Sequence, residues 1–180
     1  MQRTLKELVL KNGDYVYDGD LTIDGKVLIS NGSLRVSGKL FLKGLSETGN
    51  SPTVIINGDI VADSFTCRAL RICCRGNIII HSKLDVCHVI CNRDILVGDC
   101  CYAYNVICHN YLITGNNDSD DVTAEEDIYV LGYNCSGDLK AREIFLGDFT
   151  KFAPYGPITV EAQHFECAGP IQGCRTMKIG

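Results

Sequence analysis

The chain has no tryptophan, four prolines and two methionines. It also has no apolar run of the roughly 18 residues that a membrane-spanning helix needs, so no membrane span is expected. The opening MQRTLKELVLKNG lacks an apolar core followed by a cleavage site, which argues against a secretory leader. Scarce proline and the lack of a Ser-rich or charge-rich run leave no linker, so residues 1–180 are expected to form a single domain. Basic excess is missing too. The net charge of −5 removes the electrostatic footprint that nucleic acid or an anionic membrane requires.

Cysteine, in contrast, is plentiful. Eleven is an odd number, and in an oxidising compartment one thiol would be left over, so a reducing, cytoplasmic setting is the simpler expectation. Three of these cysteines reveal a repeat: Cys74, Cys91 and Cys108 are separated by 17 and 17 residues. The same interval links Ile72, Val89 and Val106; Ile78, Ile95 and Leu112; Ile80, Val97 and Thr114; and Cys67, Leu84 and Cys101. All but Thr114 are apolar.

Within a repeat the apolar residues come as i, i+2 pairs, such as Ile72/Cys74, Ile78/Ile80, Leu84/Val86, Val89/Cys91 and Ile95/Val97. Spacing by two puts both members on one face of a strand, whereas a helix would need i, i+3, i+4 recurrence. Polar corners such as Gly76-Asn77, Arg93-Asp94 and His109-Asn110 precede the third pair. The pattern predicts an all-β, three-sided parallel β-helix (a solenoid) with 17-residue coils. Extended outward, it gives about seven or eight coils at the usual strand spacing. Residues 1–18 are expected as an N-terminal cap and 19–148 as regular coils, with insertions near 44–52 and 115–121. Residues 149–180 then form an irregular last coil, built on Ile158/Val160 and Phe165/Cys167 beyond Phe149.

The triplets Gly19-Asp20-Leu21, Gly58-Asp59-Ile60, Gly76-Asn77-Ile78 and Gly137-Asp138-Leu139 resemble those of the bactofilins, polymer-forming bacterial cytoskeletal proteins. The resemblance runs from about Gly19 to Leu146 and implies a right-handed coil and polymer formation. The eleven cysteines, the insertions and the bulky outward residues depart from that family's pattern.

If the pairs point inward, the residue between them points out. Side one then shows Arg68, Asp85 and Tyr102, with Thr22, Lys140 and Thr159 on equivalent coils. Side two shows Leu28, Ile55, Cys73, Ile90, Ile107, Tyr129 and Phe145, and side three Val61, Ile79, Leu96 and Ile113. Two sides are therefore apolar. A monomer rarely exposes a contiguous apolar patch beyond a few hundred Å². Leu28, Ile55, Ile79, Ile90, Leu96, Ile107, Ile113, Tyr129 and Phe145 are accordingly the candidate interface. Burial under the chain's own loops is the competing account.

Chemistry is harder to find. Cys87, Cys91, His88 and His109 suggest zinc, but the spacing lacks tight ligand pairs, and inward cysteines act as small core hydrophobes. No position marks any of His81, His88, His109 and His164 as a general base. Asn116–Asp121 with Glu125, Glu126 and Asp127 offers oxygen ligands for calcium without the spacing of a calcium loop, and reads better as a solvated acidic segment. No catalytic, metal or cofactor site is expected. The leading expectation is a non-enzymatic, self-associating scaffold or protein-interaction module, as a homo-oligomer. The alternatives are a soluble inhibitor or immunity-type protein masking a basic partner, and a hexapeptide-like acyltransferase.

Overall fold

The computed structural model describes residues 1–46, 52–148, 150–152, 159–174 and 176–180. Every regular element among them is a β-strand, and the strands stack in parallel as a solenoid of about nine turns with about 18 residues per turn. No helix among the described residues is long and apolar enough to cross a membrane. The solenoid expected from the repeat is present, with more turns than seven or eight because both ends join it. Gln2–Leu5, Leu8–Leu10 and Tyr15–Tyr17, in the segment expected as a cap, pair with Asp20–Ile23, Val27–Ile29 and Ser33–Val36 of the next turn. At the other end, His164–Cys167, Ile171–Gln172 and Thr176–Ile179 form the last rung. Residues 47–51 of the first expected insertion, Phe149, and Ile158 of the last expected coil lie outside the described residues.

Three ladders define three faces. The first face runs through the strands or strand starts at Gln2, Asp20, Leu40, Ile60, Ile78, Ile95, Tyr111, Asp127, Glu143 and His164. The second contains Leu84–Val86 against Phe65–Cys67 on one side and Cys101–Ala103 on the other. The third stacks Val54, Ile72, Val89, Val106, Val122, Leu139 and Val160. The single strand Ile60–Cys74 covers all three faces of one rung.

Inward side chains are almost wholly buried and form one continuous core. Each fully buried Ile or Leu contributes about 1.5–3 kcal/mol relative to exposure. β-branched residues dominate because they pack well on a pleated surface. The corner before the first face explains the Gly-polar-aliphatic triplets. Gly38, Gly58 and Gly76 donate in succession to the carbonyls of Gly19, Gly38 and Gly58 at 2.9–3.1 Å. A Cβ at Gly76 would sit 2.5 Å from the Gly58 carbonyl, so side chains are excluded from this stack. The Asx residue that follows caps the next rung: Asp20 Oδ1 accepts from Lys39 N at 2.8 Å, and Asp59 Oδ1 from Asn77 N at 2.9 Å.

The strict 17-residue count misplaces several residues. Ile95 pairs with Tyr111 and Val97 with Ile113, 16 residues on, so Tyr111 and Ile113 point inward while Leu112 points out. Ile113, expected at the interface, is fully buried. On the second face Leu84 pairs with Phe65 and Val86 with Cys67; the register then shifts, and Arg71 meets His88. Arg68–Leu70 lie opposite the single residue Cys87, a bulge of two extra residues that turns Leu70 into the core. The expected insertion at 115–121 is part of a rung: Asn116 and Asn117 pair with Cys100 and Cys101, and Asn117 and Ser119 are fully buried.

These polar residues make the interior of the second face unlike the rest of the core. Tyr111 Oη lies 2.7 Å from Asn117 Oδ1 and 3.3 Å from Ser119 Oγ. Asn117 Nδ2 donates to Asn134 Oδ1 at 2.8 Å, and Asn134 Nδ2 donates to Ser136 Oγ at 2.9 Å. Buried polar groups persist where each finds a partner, and this network supplies them.

Candidate interaction faces

The outward column of the first face is Thr22, Phe41, Val61, Ile79, Leu96, Leu112, Tyr129, Phe145 and Glu166. Seven successive rungs, from Phe41 to Phe145, carry an aliphatic or aromatic side chain, bounded by a threonine and a glutamate. At about 4.8 Å per rung the apolar ladder is about 29 Å long. All seven are partly exposed, with Leu96 at 37%. Tyr129 and Phe145 stack with ring centroids 6.0 Å apart. No described segment of the chain forms a strand or layer over this column.

The candidate interface residues therefore separate onto three faces. Ile79, Leu96, Tyr129 and Phe145 share the first-face ladder, together with Val61 and with Phe41 and Leu112, which the sequence reading missed. Tyr129 and Phe145 do not continue the column of Ile107, with which they were grouped. Ile55, Ile90 and Ile107 form a shorter patch with Cys73 on the third face, where Ile90 is 46% and Ile107 is 44% exposed. That column then becomes polar, through Thr123 and Lys140 to Glu161 and Lys178. Leu28 lies on the second face, beside Val9. The side expected to be polar does not form one column: Thr22 heads the first-face ladder, Asp85 and Tyr102 share the second face, and Lys140 belongs to the third.

An open groove with a volume of about 620 Å³ follows the corner after the third face, floored by Ala124, Ala141 and Ala162. Its cations are already matched. Lys140 and Lys178 reach Glu161 at 3.2 and 2.7 Å, while Arg142 reaches Glu126 and Asp127 at 2.7 and 3.2 Å.

A recess of about 230 Å³ lies where the second face turns into the third, lined by Tyr102, Tyr104, Asp85, Asp118, Asp120 and Arg68. Asp85 is buried and pairs with Arg68 and Lys83, each at 3.3 Å. Lys83 Nζ also sits 4.7 Å from the Tyr102 ring centroid. Burial, together with Asp121 and Asp118, raises the pKa of Asp120 above the usual carboxylate value. Asp118 and Asp120 face outward here because Asn117 and Ser119 turn in.

The cysteines divide as inward and outward positions require. Cys67, Cys74, Cys91, Cys101 and Cys108 are buried and the other six partly exposed. Cys74 Sγ donates to the Gly58 carbonyl at 3.3 Å and Cys91 Sγ to that of Gly76 at 3.1 Å, which ties the thiol column to the glycine corner. Burial pushes the Cys101 thiol up to about 11. Among the described residues no three His, Cys, Asp or Glu side chains converge as a metal site. The histidines are scattered. His109 pairs with Glu125 at 3.2 Å on one corner, His88 stacks between Arg71 and Asn105 on the third face, and His81 and His164 lie on other rungs.

The chain matches no family model, no curated protein and no solved structure.

Proposed function

We propose that this solenoid is a non-enzymatic scaffold that works by associating through its apolar outer faces, chiefly the ladder from Phe41 to Phe145. The supporting observation is that seven consecutive rungs of one face present apolar side chains to solvent. Burying such a stripe at roughly 25 cal/mol per Å² favours association before the costs of ordering and lost motion are counted. Its rung spacing suits another stack of strands, since sheets pack face to face about 10 Å apart. The resemblance of the glycine triplets to those of polymer-forming bactofilins points the same way. Sedimentation velocity across a concentration series tests the reading, with Leu96→Lys/Leu112→Lys and Ile90→Lys/Ile107→Lys as variants. Wild type is expected to associate, and the first variant to weaken association more than the second. A wild type that stays monomeric, with a stability indifferent to both charge pairs, sinks the reading.

The acidic and aromatic recess favours a second reading, in which the protein masks a basic partner. Arg68 already places a guanidinium against Asp85 there, and the tyrosines offer faces to a second cation. Titration with an oligo-arginine peptide separates the two readings. Binding that Asp118→Asn/Asp120→Asn abolishes supports the second, and self-association that this variant leaves intact supports the first.

A further inference from the structure

We infer that the first-face ladder receives a second copy of this chain in antiparallel orientation, with the two-fold axis at Leu96; this deepens the proposed self-association and rests on it. Two observations carry the orientation, the order of side-chain sizes and the charges on the two borders; the area of the face bears on whether a second copy suffices.

From one end to the other the ladder is Phe41, Val61, Ile79, Leu96, Leu112, Tyr129, Phe145. Reversed on itself about Leu96, it sets Phe41 against Phe145, the small Val61 against the large Tyr129, and Ile79 against Leu112. Aromatic side chains then meet at both ends, and each large residue beside them faces a small one. Superposed without reversal, Tyr129 meets Tyr129 and Val61 meets Val61, so one rung is overfilled and another left with a gap.

The borders give the same answer. Two residues before the ladder lie Asp20, Lys39, Asp59, Asp94, Asp127 and Glu143; two residues after it lie Asp24, Lys43, Asp63 and His81, followed by Gly98, Thr114, Leu131 and Gly147. A two-fold axis along the ladder brings opposite borders together at the same rung. It would oppose Asp20 to Asp24, Lys39 to Lys43 and Asp59 to Asp63, each like-charged and each occurring twice. A two-fold axis across the ladder brings each border onto itself in reverse. Lys39 then faces Glu143 twice, and the charged half of the other border faces glycine, threonine and leucine. The adverse meetings are Asp59 with Asp127, which also occurs twice, and Asp94 with its own copy: three, against six for the axis along the ladder. Asp127 carries its own cation, Arg142 at 3.2 Å, and Asp94 accepts from Asn110 Nδ2 at 2.9 Å.

The face is also large enough. The nine rungs from Thr22 to Glu166 overlap under this axis, and at about 4.8 Å each with a strand width of about 14 Å they cover about 600 Å² per copy. Two copies bury about 1,200 Å², the lower end of a stable interface. A second copy has the same rung spacing by construction, so contacts repeat along the whole ladder.

Charge reversal across the axis tests the arrangement. Val61→Lys and Tyr129→Glu are each expected to weaken the dimer by roughly tenfold or more in sedimentation equilibrium. The double variant Val61→Lys/Tyr129→Glu is expected to recover it, because every lysine then faces a glutamate. Ile79→Lys with Leu112→Glu repeats the test if thermal melting shows either first variant unfolded. A dimer that both single changes weaken and the double change weakens further overturns the antiparallel orientation and leaves the apolar-face reading standing. A wild type that is monomeric at every concentration overturns both.

Discussion

Asn117 and Asn134 occupy the same inward position on adjacent rungs, and the amide of Asn117 donates to that of Asn134 at 2.8 Å in a fully buried interior. Each amide has a second partner, Tyr111 for Asn117 and Ser136 for Asn134. Asn134→Ala removes the acceptor for Asn117 and the donor to Ser136, leaving two buried groups unpaired. At about 1–3 kcal/mol for each orphaned group, urea denaturation should show a loss of about 2–6 kcal/mol. Replacing Tyr111, Asn117 and Asn134 together by Phe, Leu and Leu should lose less than the sum of the single changes. A loss equal to the sum would mean that the three side chains do not act as one network.

Leu112 and Ile113 give the sharpest test of register. They are neighbours in sequence and opposite in environment: Ile113 is fully buried between Val97 and Val130, and Leu112 is on the outer ladder. Ile113→Lys places an unpaired charge in the core and should cost about 4 kcal/mol or more. Leu112→Lys should leave the monomer within about 1 kcal/mol of wild type. Thermal melts at a concentration low enough to keep both variants monomeric decide it. Reversed results would restore the register that a strict 17-residue period implies.

The way that register was lost shows what the sequence could and could not convey. The i, i+2 pairs and the Cys74, Cys91, Cys108 column specify a solenoid because a two-residue alternation has few other uses. Counting by 17 then failed between Ile95 and Tyr111, where the turn is one residue shorter. Anchoring on the polar residue just before each inward pair (Asp94 before Ile95, Asn110 before Tyr111, Asp127 before Ile128) keeps the register, because that side chain ties one rung to the next. With this anchor Leu112, Tyr129 and Phe145 fall into one outer column. Polar inward residues were illegible for a different reason. Asn117 and Ser119 look like a loop until Tyr111 and Asn134 are seen beside them, and those contacts span rungs.

The thiols should report the inward and outward assignment directly. Five cysteines are buried and six partly exposed. Burial holds the Cys101 and Cys108 thiols protonated, as do the adjacent Cys91 thiol and burial for Cys74. A chromogenic disulfide reagent at neutral pH should titrate no more than six thiols in the native protein and all eleven in denaturant. Cys100 and Cys174, whose pKa values burial also raises, should be among the slower of the six. Mass mapping that finds Cys91 or Cys108 labelled without unfolding would contradict the inward thiol column.

Acid should act on Asp59 and Asp120 in opposite senses. The Asn77 amide and the Lys39 ammonium hold Asp59 below the ordinary carboxylate value, so its contribution to stability is present above the unfolded-state pKa and is lost as pH falls through the folded one. Asp120 is raised by burial and by Asp121 and Asp118. Its contribution is present below the unfolded-state pKa and is lost as pH rises through the folded one, leaving a strained charge at neutrality. At pH 7, Asp59→Asn should therefore melt below wild type and Asp120→Asn above it. As pH falls toward about 3 both differences should shrink, because the wild-type carboxylates gain the protons that the amides mimic. Melting curves of the three proteins from neutral to acid pH measure this, and an Asp120→Asn protein that is less stable than wild type at pH 7 would show that the recess already compensates its own charge.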